Sequence, residues 1–356
     1  MNTENPVPLA AARGVSKRFQ RRQDAIERFV GRLTGAPPPP TVHALDDVTI
    51  EVMKGEVVGL VGESGCGKST LGRAIAGMMP VSDGVVERDG VDISTLHGRA
   101  RMDMRLRTQI IFQDPMSSLN PRKTVREIIG ESPRVHGLVP ADEVDGLVSD
   151  LLGRVGLDPG MANRYPHQFS GGQRQRIGIA RALAVNPDFL ICDESIAALD
   201  VSIQAQVINL FMELRHELGL TILFISHDLS VVQHIADRVV VMYLGRVVES
   251  ARTDEIFGPL GPRHPYTKTL LAEVPRIEQR GRRFSTVKGE IPSPLNPPQG
   301  CHFHPRCPFV MDVCRHKRPP LRAFAGGHLS ACHLNDGQGL RDDTTIITKT
   351  APQGET

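Results

Sequence analysis

The run Gly62-Glu63-Ser64-Gly65-Cys66-Gly67-Lys68-Ser69 has the residue types of a phosphate cradle. Its glycines let the backbone turn so that several N–H groups face one concavity, and a helix that follows presents its positive N-terminus to the same point. Lys68 would reach the β- and γ-phosphates of a nucleoside triphosphate as a point charge, and the Ser69 hydroxyl would ligate Mg2+. Further along, Phe189-Leu190-Ile191-Cys192-Asp193-Glu194 is an apolar run that ends in two carboxylates. A buried parallel strand accounts for the apolar part, and ligands gather at the carboxyl ends of such strands. Asp193 would hold the cation through water, and Glu194 would polarise the attacking water as a general base. Paired acids at a strand end are often merely solvated; the phosphate loop upstream gives this pair a reaction to serve.

Single residues complete the set. Gln113 ends the strand-like Ile110-Ile111-Phe112 and can touch both Mg2+ and the water. That assignment rests on position, since a lone Gln is usually a surface polar group. His227 follows Thr221-Ile222-Leu223-Phe224-Ile225-Ser226 and can donate a hydrogen bond to the γ-phosphate while orienting Glu194. A lone His after a strand is more often structural, and only the company of Asp228 and the other motifs lifts this one. Phe169-Ser170-Gly171-Gly172-Gln173 leads into a predicted helix, Gln173 to Val185, stopped by Asn186-Pro187. A second helix N-terminus is thus available for phosphate. The chain's own cradle already has a helix, so this one is expected to serve a cradle on a neighbouring molecule.

The elements that must hold these groups follow in order. Glu56-Val57-Val58-Gly59-Leu60-Val61 runs straight into the glycine loop as strand, loop and helix. Residues 119–168 lack strand patterning and contain helical stretches such as Val144 to Val155, which predicts a helical insertion. Strands resume at Phe189 to Cys192, Thr221 to Ser226 and Val239 to Tyr243, the last turning at Leu244-Gly245 into Arg246 to Glu249. Val201, Val207, Ile208, Phe211 and Leu214 recur at helical spacing and mark a crossover helix. Upstream, residues 1–19 end in an apolar and basic strand, and an insert at about 20–41 closes on Pro37 to Pro40, a stiff extended linker. Beyond about residue 276 the chain turns Pro-rich and basic, then rich in cysteine and histidine, and 335–356 has the composition of a disordered tail.

Bulk properties frame this reading. The 356 residues allow a large nucleotide-binding domain with an appendage. The 42 Lys plus Arg against 40 Asp plus Glu leave +2, too balanced for nucleic acid as the main partner. No apolar run approaches the roughly 18 residues that span a bilayer, and Met1 to Leu9 is not a secretory signal. The expectation is a chain that stays in the cytosol unless something else holds it at a membrane. Of six cysteines, Cys66 and Cys192 sit inside the motifs, while Cys301, Cys307, Cys314 and Cys332 crowd the C-terminal sixth. In a cytosolic chain such clustering suggests a metal more readily than disulfides.

Together, Gly62 to Thr70, Gln113, Phe169 to Arg176, Asp193-Glu194, Ala198-Leu199-Asp200 and Ser226-His227-Asp228 resemble the nucleotide-binding subunit of an ABC transporter, over roughly residues 42–275. The resemblance implies an α/β fold: a P-loop NTPase (RecA-like) core with an antiparallel β subdomain, an inserted α-helical subdomain at about 114–185, and a small metal-binding C-terminal extension at 276–334. It implies ATP and Mg2+ as ligands. The ATP-binding set becomes Gly62, Glu63, Ser64, Gly65, Cys66, Gly67, Lys68, Ser69, Thr70, Gln113, Asp193 and His227. Mg2+ falls to Ser69, Gln113 and Asp193, and catalysis to Glu194, His227 and Gln113. In the family two such domains stack head to tail, each ATP lying between the phosphate loop of one and the signature motif of the other. That motif is here Ser170, Gly171, Gly172 and Gln173, and Asp200 ends the loop that touches the partner. Phe19, in Val15-Ser16-Lys17-Arg18-Phe19, corresponds to the family's aromatic residue that stacks on adenine; a core phenylalanine is the competing reading.

A narrower resemblance rests on Gly65 to Arg73, Asp200 to Asn209 and Arg263-His264-Pro265-Tyr266-Thr267. These are similar to the ATP-binding proteins of oligopeptide and dipeptide importers, of the F type, and the four C-terminal cysteines resemble that subfamily's C-terminal domain. The resemblance implies a peripheral ATPase on the cytoplasmic face of the plasma membrane, docked on two permease subunits. A second, non-identical ATPase subunit would work beside it, and an extracytoplasmic binding protein would deliver the peptide. Relatives with similar ATPases import nickel, glutathione or oligosaccharides. Soluble ABC ATPases outside transport share the motifs but usually carry two cassettes or a long coiled coil, neither of which is present.

Two features depart from simple patterns. The cysteine spacings of five, six and seventeen intervening residues are wider than the paired knuckles of structural zinc. Four thiolates suit an iron–sulfur cluster equally well, and His302, His304, His316, His328 or His333 could replace a cysteine in a zinc site. The subfamily resemblance favours a [4Fe–4S] cluster, with Zn2+ the alternative. Second, Ser195-Ile196-Ala197 stands where the family commonly has Pro-Val-Ser or Pro-Thr-Ser. Both carboxylates survive, so turnover is expected to persist while coupling between the two stacked sites changes.

Overall fold

The computed structural model describes residues 7–20, 40–114, 118–197, 199–273 and 289–337. Most of the 20–41 insert, Ala198 of the partner-touching loop, the start of the Pro-rich stretch and the tail beyond 337 lie outside the described residues.

Short runs rich in Val, Ile and Leu build the centre. They form β3 (Val57–Val61), β6 (Thr108–Ile111), β7 (Phe189–Asp193), β8 (Thr221–Ser226) and β9 (Arg238–Tyr243), all parallel, in the order β9-β3-β8-β7-β6. Every residue of β3, β7 and β8 is buried. A strand covered on both faces has no water-facing side and so no need of polar alternation. The alternation persists as a choice of partner, because successive side chains point to opposite faces. Val58, Leu60, Ile191, Leu223 and Ile225 enter one apolar cluster, whereas Val57, Val61, Leu190, Ile222 and Phe224 enter the other.

The first cluster lies under a second sheet. β1 (Ala10–Gln20), β2 (Thr41–Val52), β4 (Asp83–Arg88) and β5 (Val91–Asp92) pair antiparallel in the order β2-β1-β4-β5. Helix α1 (Lys68–Ile75) also faces this side through Leu71 and Ile75. After α2 (Gly98–Arg107), the second cluster takes α3 (Val125–Val135), α4 (Val144–Arg154), α5 (Gly171–Leu183), α6 (Val201–Leu218) and α7 (Leu229–Ile235). Helix α3 opens on a capping box in which Thr124 and Glu127 satisfy each other's free N–H groups. Helix α6 buries Val207, Leu210, Phe211 and Leu214 at helical spacing and stops at Gly219, left-handed at φ 64. Among the described residues of 118–188 there is no strand.

The C-terminal part joins the main sheet. The turn Leu244-Gly245, with φ of 41 and 79, folds β10 (Arg246–Arg252) back on β9. Beyond α8 (Thr253–Phe257), α9 (Pro265–Glu273) and α10 (Asp312–His316), strands β11 (Arg322–Ala323) and β12 (Leu329–Ser330) extend the edge, β12 pairing with β10. Phe303 is 1% exposed and packs with Tyr243 and Tyr266 in the main cluster. Residues 289–337 therefore borrow a core and do not build one. Among the described residues no helix is long and apolar enough to cross a membrane.

Candidate active site

Parallel strands release their following loops along one edge. Asp193, Ile225 and Leu60 stand in register across β7, β8 and β3, so those three strands end at one level. The Gly62–Ser69 loop leaves β3, Asp193 closes β7, His227 follows β8, and Gln113 lies two residues beyond β6. Gly67 caps α1 at φ 107, and a Cβ there would meet the Ala44 carbonyl oxygen of β2 at 2.4 Å. No other residue type fits both that backbone and that approach. Lys68 is 4% exposed and curls back into its own loop, donating to the carbonyl oxygens of Gly62 at 2.7 Å and Glu63 at 3.1 Å. Ser64 and Gly65 face solvent at the tip, and Ser69 and Thr70 are half-buried in the first turn of α1. Cys66 is buried, which pushes its thiol up and keeps it an inert packing group.

Around Glu194 the side chains converge. Its backbone is left-handed at φ 49, a conformation that a β-carbon makes costly and that active sites tend to retain. Its N–H donates to the Ile225 carbonyl at 3.0 Å, which ties the residue to β8. Gln113 Nε2 donates to Glu194 Oε2 at 2.9 Å, His227 Nδ1 stands 3.8 Å from the same oxygen, and Lys68 Nζ stands 3.9 Å from Oε1. Next to it the Ser69 hydroxyl donates to Asp193 Oδ1 at 2.6 Å, with Arg73 Nη2 3.8 Å from Oδ2. Burial raises the Asp193 carboxyl above its ordinary value, and the Ser69 hydrogen bond works against that shift. A hydroxyl and a carboxylate in contact are a donor set for Mg2+, which usually takes one or two carboxylates plus phosphate oxygens and water. The arrangement can orient a water, remove its proton and stabilise charge on a phosphoryl group.

The sequence-predicted signature residues lie elsewhere. Ser170 caps α5, its hydroxyl accepting from Gln173 N–H at 3.3 Å while the Gln173 amide oxygen accepts from Ser170 N–H at 3.0 Å. A Cβ on Gly172 would meet Ile203 of α6 at 2.6 Å, so the α5–α6 approach needs glycine there. Ser170 and Gly171 are exposed, and among the described residues no hydrogen bond or ion pair links 170–173 to the phosphate loop, Asp193 or Glu194. Asp200 is exposed at the start of α6. Ser195 is 1% exposed, its hydroxyl beside the Cys192 thiol, and Ile196 packs in the core. The hydroxyl at 195 therefore points inward and does not replace the one missing at 197.

Phe19 is 41% exposed near the end of β1, opposite Val42, with Lys17 Nζ 5.2 Å from its ring centroid. It is no core residue. It stands two positions along the strand pair from Ala44, whose carbonyl abuts Gly67.

The cysteine quartet is gathered but not arranged. The Cys332 thiol senses Cys301, Cys307 and Cys314, yet among the described residues no group of three or more His, Cys, Asp or Glu side chains is placed to hold a metal ion. The expected metal centre is therefore not preformed among the described side chains. In the metal-free chain, burial pushes Cys307 up to about 11 and Cys332 up to about 12, so a metal held there would have to draw off their protons. Several nearby imidazoles are engaged elsewhere: His302 with the Leu244 carbonyl, His304 with the Cys301 carbonyl, His328 with Glu249, and His333 with Asp336 and the Lys317 carbonyl.

Two further residues reach the phosphate loop. Glu63 N–H donates to the Tyr266 hydroxyl at 2.9 Å, and the Glu63 carboxylate accepts from both Nη atoms of Arg306, at 2.7 and 2.8 Å. The sequence singles out the Arg263 to Thr267 stretch only as a family mark, and nothing local in it announces a contact with residue 63.

Comparison with known proteins gives a consistent pattern. A family model described as "ABC transporter" matches residues 45–197, and one described as "Oligopeptide/dipeptide transporter, C-terminal region" matches residues 248–314. The chain is 49% identical over 338 residues to the oligopeptide transport ATP-binding protein AppF of Bacillus subtilis, covering 94% of this chain and 99% of that protein. It is 46% identical over 326 residues to a putative peptide import ATP-binding protein of Brucella ovis, covering 91% and 97%. Among solved structures, the dimeric post-hydrolysis ATP-binding cassette MJ0796 bound to ADP and Pi is similar at a TM-score of 0.58 and 26% identity, over 68% of this chain and 98% of that one.

Proposed function

Because this chain belongs to the ABC transporter family, in its oligopeptide and dipeptide importer branch, we propose that it is the ATP-binding and ATP-hydrolysing subunit that energises peptide import. The observation that carries the mechanism is the convergence of Gln113, His227 and Lys68 on the Glu194 carboxylate, beside the Ser69–Asp193 contact.

The N–H groups of Gly62 to Ser69 and the Lys68 ammonium bind the β- and γ-phosphates. Ser69, Asp193 and Gln113 would hold Mg2+, which supplies neutralisation of the charge developing on the phosphate oxygens. Glu194 takes the proton of the attacking water as general base. Gln113 donates to one of its oxygens and His227 lies near the same atom, so the carboxylate is oriented with the other oxygen toward the loop, 3.9 Å from the Lys68 ammonium. The left-handed backbone carries the side chain past the end of β7. Ser170, Gly171, Gly172 and Gln173 serve another subunit's ATP, a reading supported by the exposure of Ser170 and Gly171 at the start of α5 and by a dimeric structural relative. The assembly pairs this chain with a second, non-identical ATPase subunit and two permeases on the cytoplasmic face of the membrane, fed by an extracytoplasmic binding protein. Cys301, Cys307, Cys314 and Cys332 take no step in this cycle; their soft donor set fits a [4Fe–4S] cluster or Zn2+ once deprotonated, as a staple for residues 289–337.

Reconstituted in liposomes with its permeases and second ATPase, the wild-type complex is expected to couple phosphate release to peptide uptake. Lys68→Ala should abolish both. Phosphate release at the wild-type rate in that variant would sink the assignment, and uptake of nickel, glutathione or an oligosaccharide in place of peptide would redirect it.

A further inference from the structure

The phosphate loop carries an acidic residue, and that is a liability in a site for a polyanion. A Glu63 carboxylate in the cradle brings like charge toward a triphosphate. Its countercharge comes from 243 positions away in sequence, where both Nη atoms of Arg306 grip both carboxylate oxygens at 2.7 and 2.8 Å. The pair is sheltered, with side chains 5% and 19% exposed. Arg306 is in turn held from behind. Its guanidinium lies 5.8 Å from the Tyr243 ring centroid, and Phe303, three residues upstream, is locked against Tyr243 and Tyr266 at 5.2 and 5.3 Å between ring centroids. The Tyr266 hydroxyl accepts from Glu63 N–H, and the Glu63 carbonyl accepts from the Lys68 ammonium. One residue of the loop is thus fixed on its amide, its side chain and its carbonyl, and that carbonyl is one of the two that hold the phosphate-binding lysine.

We propose that Arg306 is a positioning residue of the nucleotide site: it neutralises Glu63 and clamps the phosphate loop, which makes the C-terminal cysteine segment a working part of ATP binding. This rests on the ATP-hydrolysing reading above. A bidentate guanidinium–carboxylate pair in a sheltered place is both strong and directional, so losing one partner leaves an uncompensated charge rather than a gap.

The test is steady-state hydrolysis of MgATP by the full-length chain in its assembled transporter. Arg306→Met should raise KM for MgATP about ten-fold with kcat within about two-fold, because the uncompensated Glu63 carboxylate opposes binding of the triphosphate. Higher salt should narrow that difference, since the repulsion is screened. Adding Glu63→Gln to Arg306→Met should recover most of the lost affinity, an effect that a merely structural Arg306 would not produce. Arg318→Met, which breaks the Arg318–Asp47 pair on the same segment, serves as the control and should leave KM unchanged. An unmoved KM in Arg306→Met overturns the proposal, and so does a loss that Glu63→Gln fails to relieve. If methionine at 306 prevents folding, Arg306→Gln is read in the same way. Hydrolysis by the wild type and its loss in Lys68→Ala establish the underlying reading separately, so a flat KM in Arg306→Met counts against the clamp alone.

Discussion

The carboxyl edge of the parallel sheet and the C-terminal segment 289–337 both collect chemically capable side chains, but they do so by different means. At the sheet edge the backbone does the collecting. Parallel strands in register deliver Gln113, Asp193, Glu194 and His227 to one place, and a glycine loop with one helix sets Lys68 and Ser69 among them. In 289–337 the strands are two residues long; Cys314 sits in the short helix α10 and the other three thiols hang from turns and loops, with packing on Phe303 and β12 against β10. The first region needs no ligand to bring its groups within hydrogen-bonding distance. The second brings its thiols to one segment, Cys314 buried and the other three half-buried, and leaves them unaligned for a metal. Register brings the first set of groups together within the fold itself, whereas the second set waits for whatever it binds.

The largest expected effect tests the first half of that contrast. Glu194→Gln keeps the shape and the left-handed backbone while removing the base, so hydrolysis should fall on the order of a hundredfold or more, with ATP still bound. Phosphate release measured beside retained nucleotide checks it. Undiminished release would show that convergence on this carboxylate is not what activates the water.

What the sequence discloses follows the same division. The phosphate loop, the acidic strand end and the signature helix are legible because each is local: a few residues fix a turn, a strand end or a cap. The strand and helix pattern is legible for a similar reason, through period-two and period-3.6 repeats. The Arg306–Glu63 pair and the Tyr266 hydroxyl on Glu63 N–H are not legible, because their partners meet only after the chain has closed a long loop. The joining of β12 to β10 is hidden because two residues carry no periodicity. Ser195 shows a subtler limit: sequence reveals a hydroxyl gained beside one lost, but only packing reveals that it points into the core.

The second effect bears on the C-terminal segment. Protein purified without oxygen is expected to contain iron in cluster stoichiometry and to absorb in the visible, with thiols that close on the metal as they deprotonate. Cys301→Ser should then bleach the protein and lower Tm by roughly 5 °C while hydrolysis persists, because this cysteine packs against the main core and touches no reacting atom. Colourless protein with stoichiometric zinc would exchange one metal for the other. Protein free of both would mean that the segment stands on borrowed packing alone, and the contrast between the two regions would become absolute.

The smallest effect falls on a residue that belongs to neither region. Phe19 is set on the antiparallel sheet, opposite Val42, and the next pairs along the ladder lead to Ala44 and Leu45 beside the phosphate loop. A ring 41% exposed is poorly explained as packing, since apolar side chains of β1 such as Val15 are fully covered. An exposed ring near the mouth of a nucleotide site is suited to stack on a base, and such stacking contributes about 1–3 kcal/mol when the face is fully covered. Lys17 lies 5.2 Å from the ring centroid and competes for that environment, which places the expected gain at the lower end. Phe19→Ala should therefore weaken ATP binding about five-fold, roughly 1 kcal/mol, while leaving turnover at saturating ATP unchanged. Equilibrium binding of ATP and of inorganic triphosphate separates the causes. If the ring stacks on adenine, only ATP loses affinity; equal losses for both ligands would mean that the ring supports the loop, and no loss for either would leave Phe19 without a role in the site.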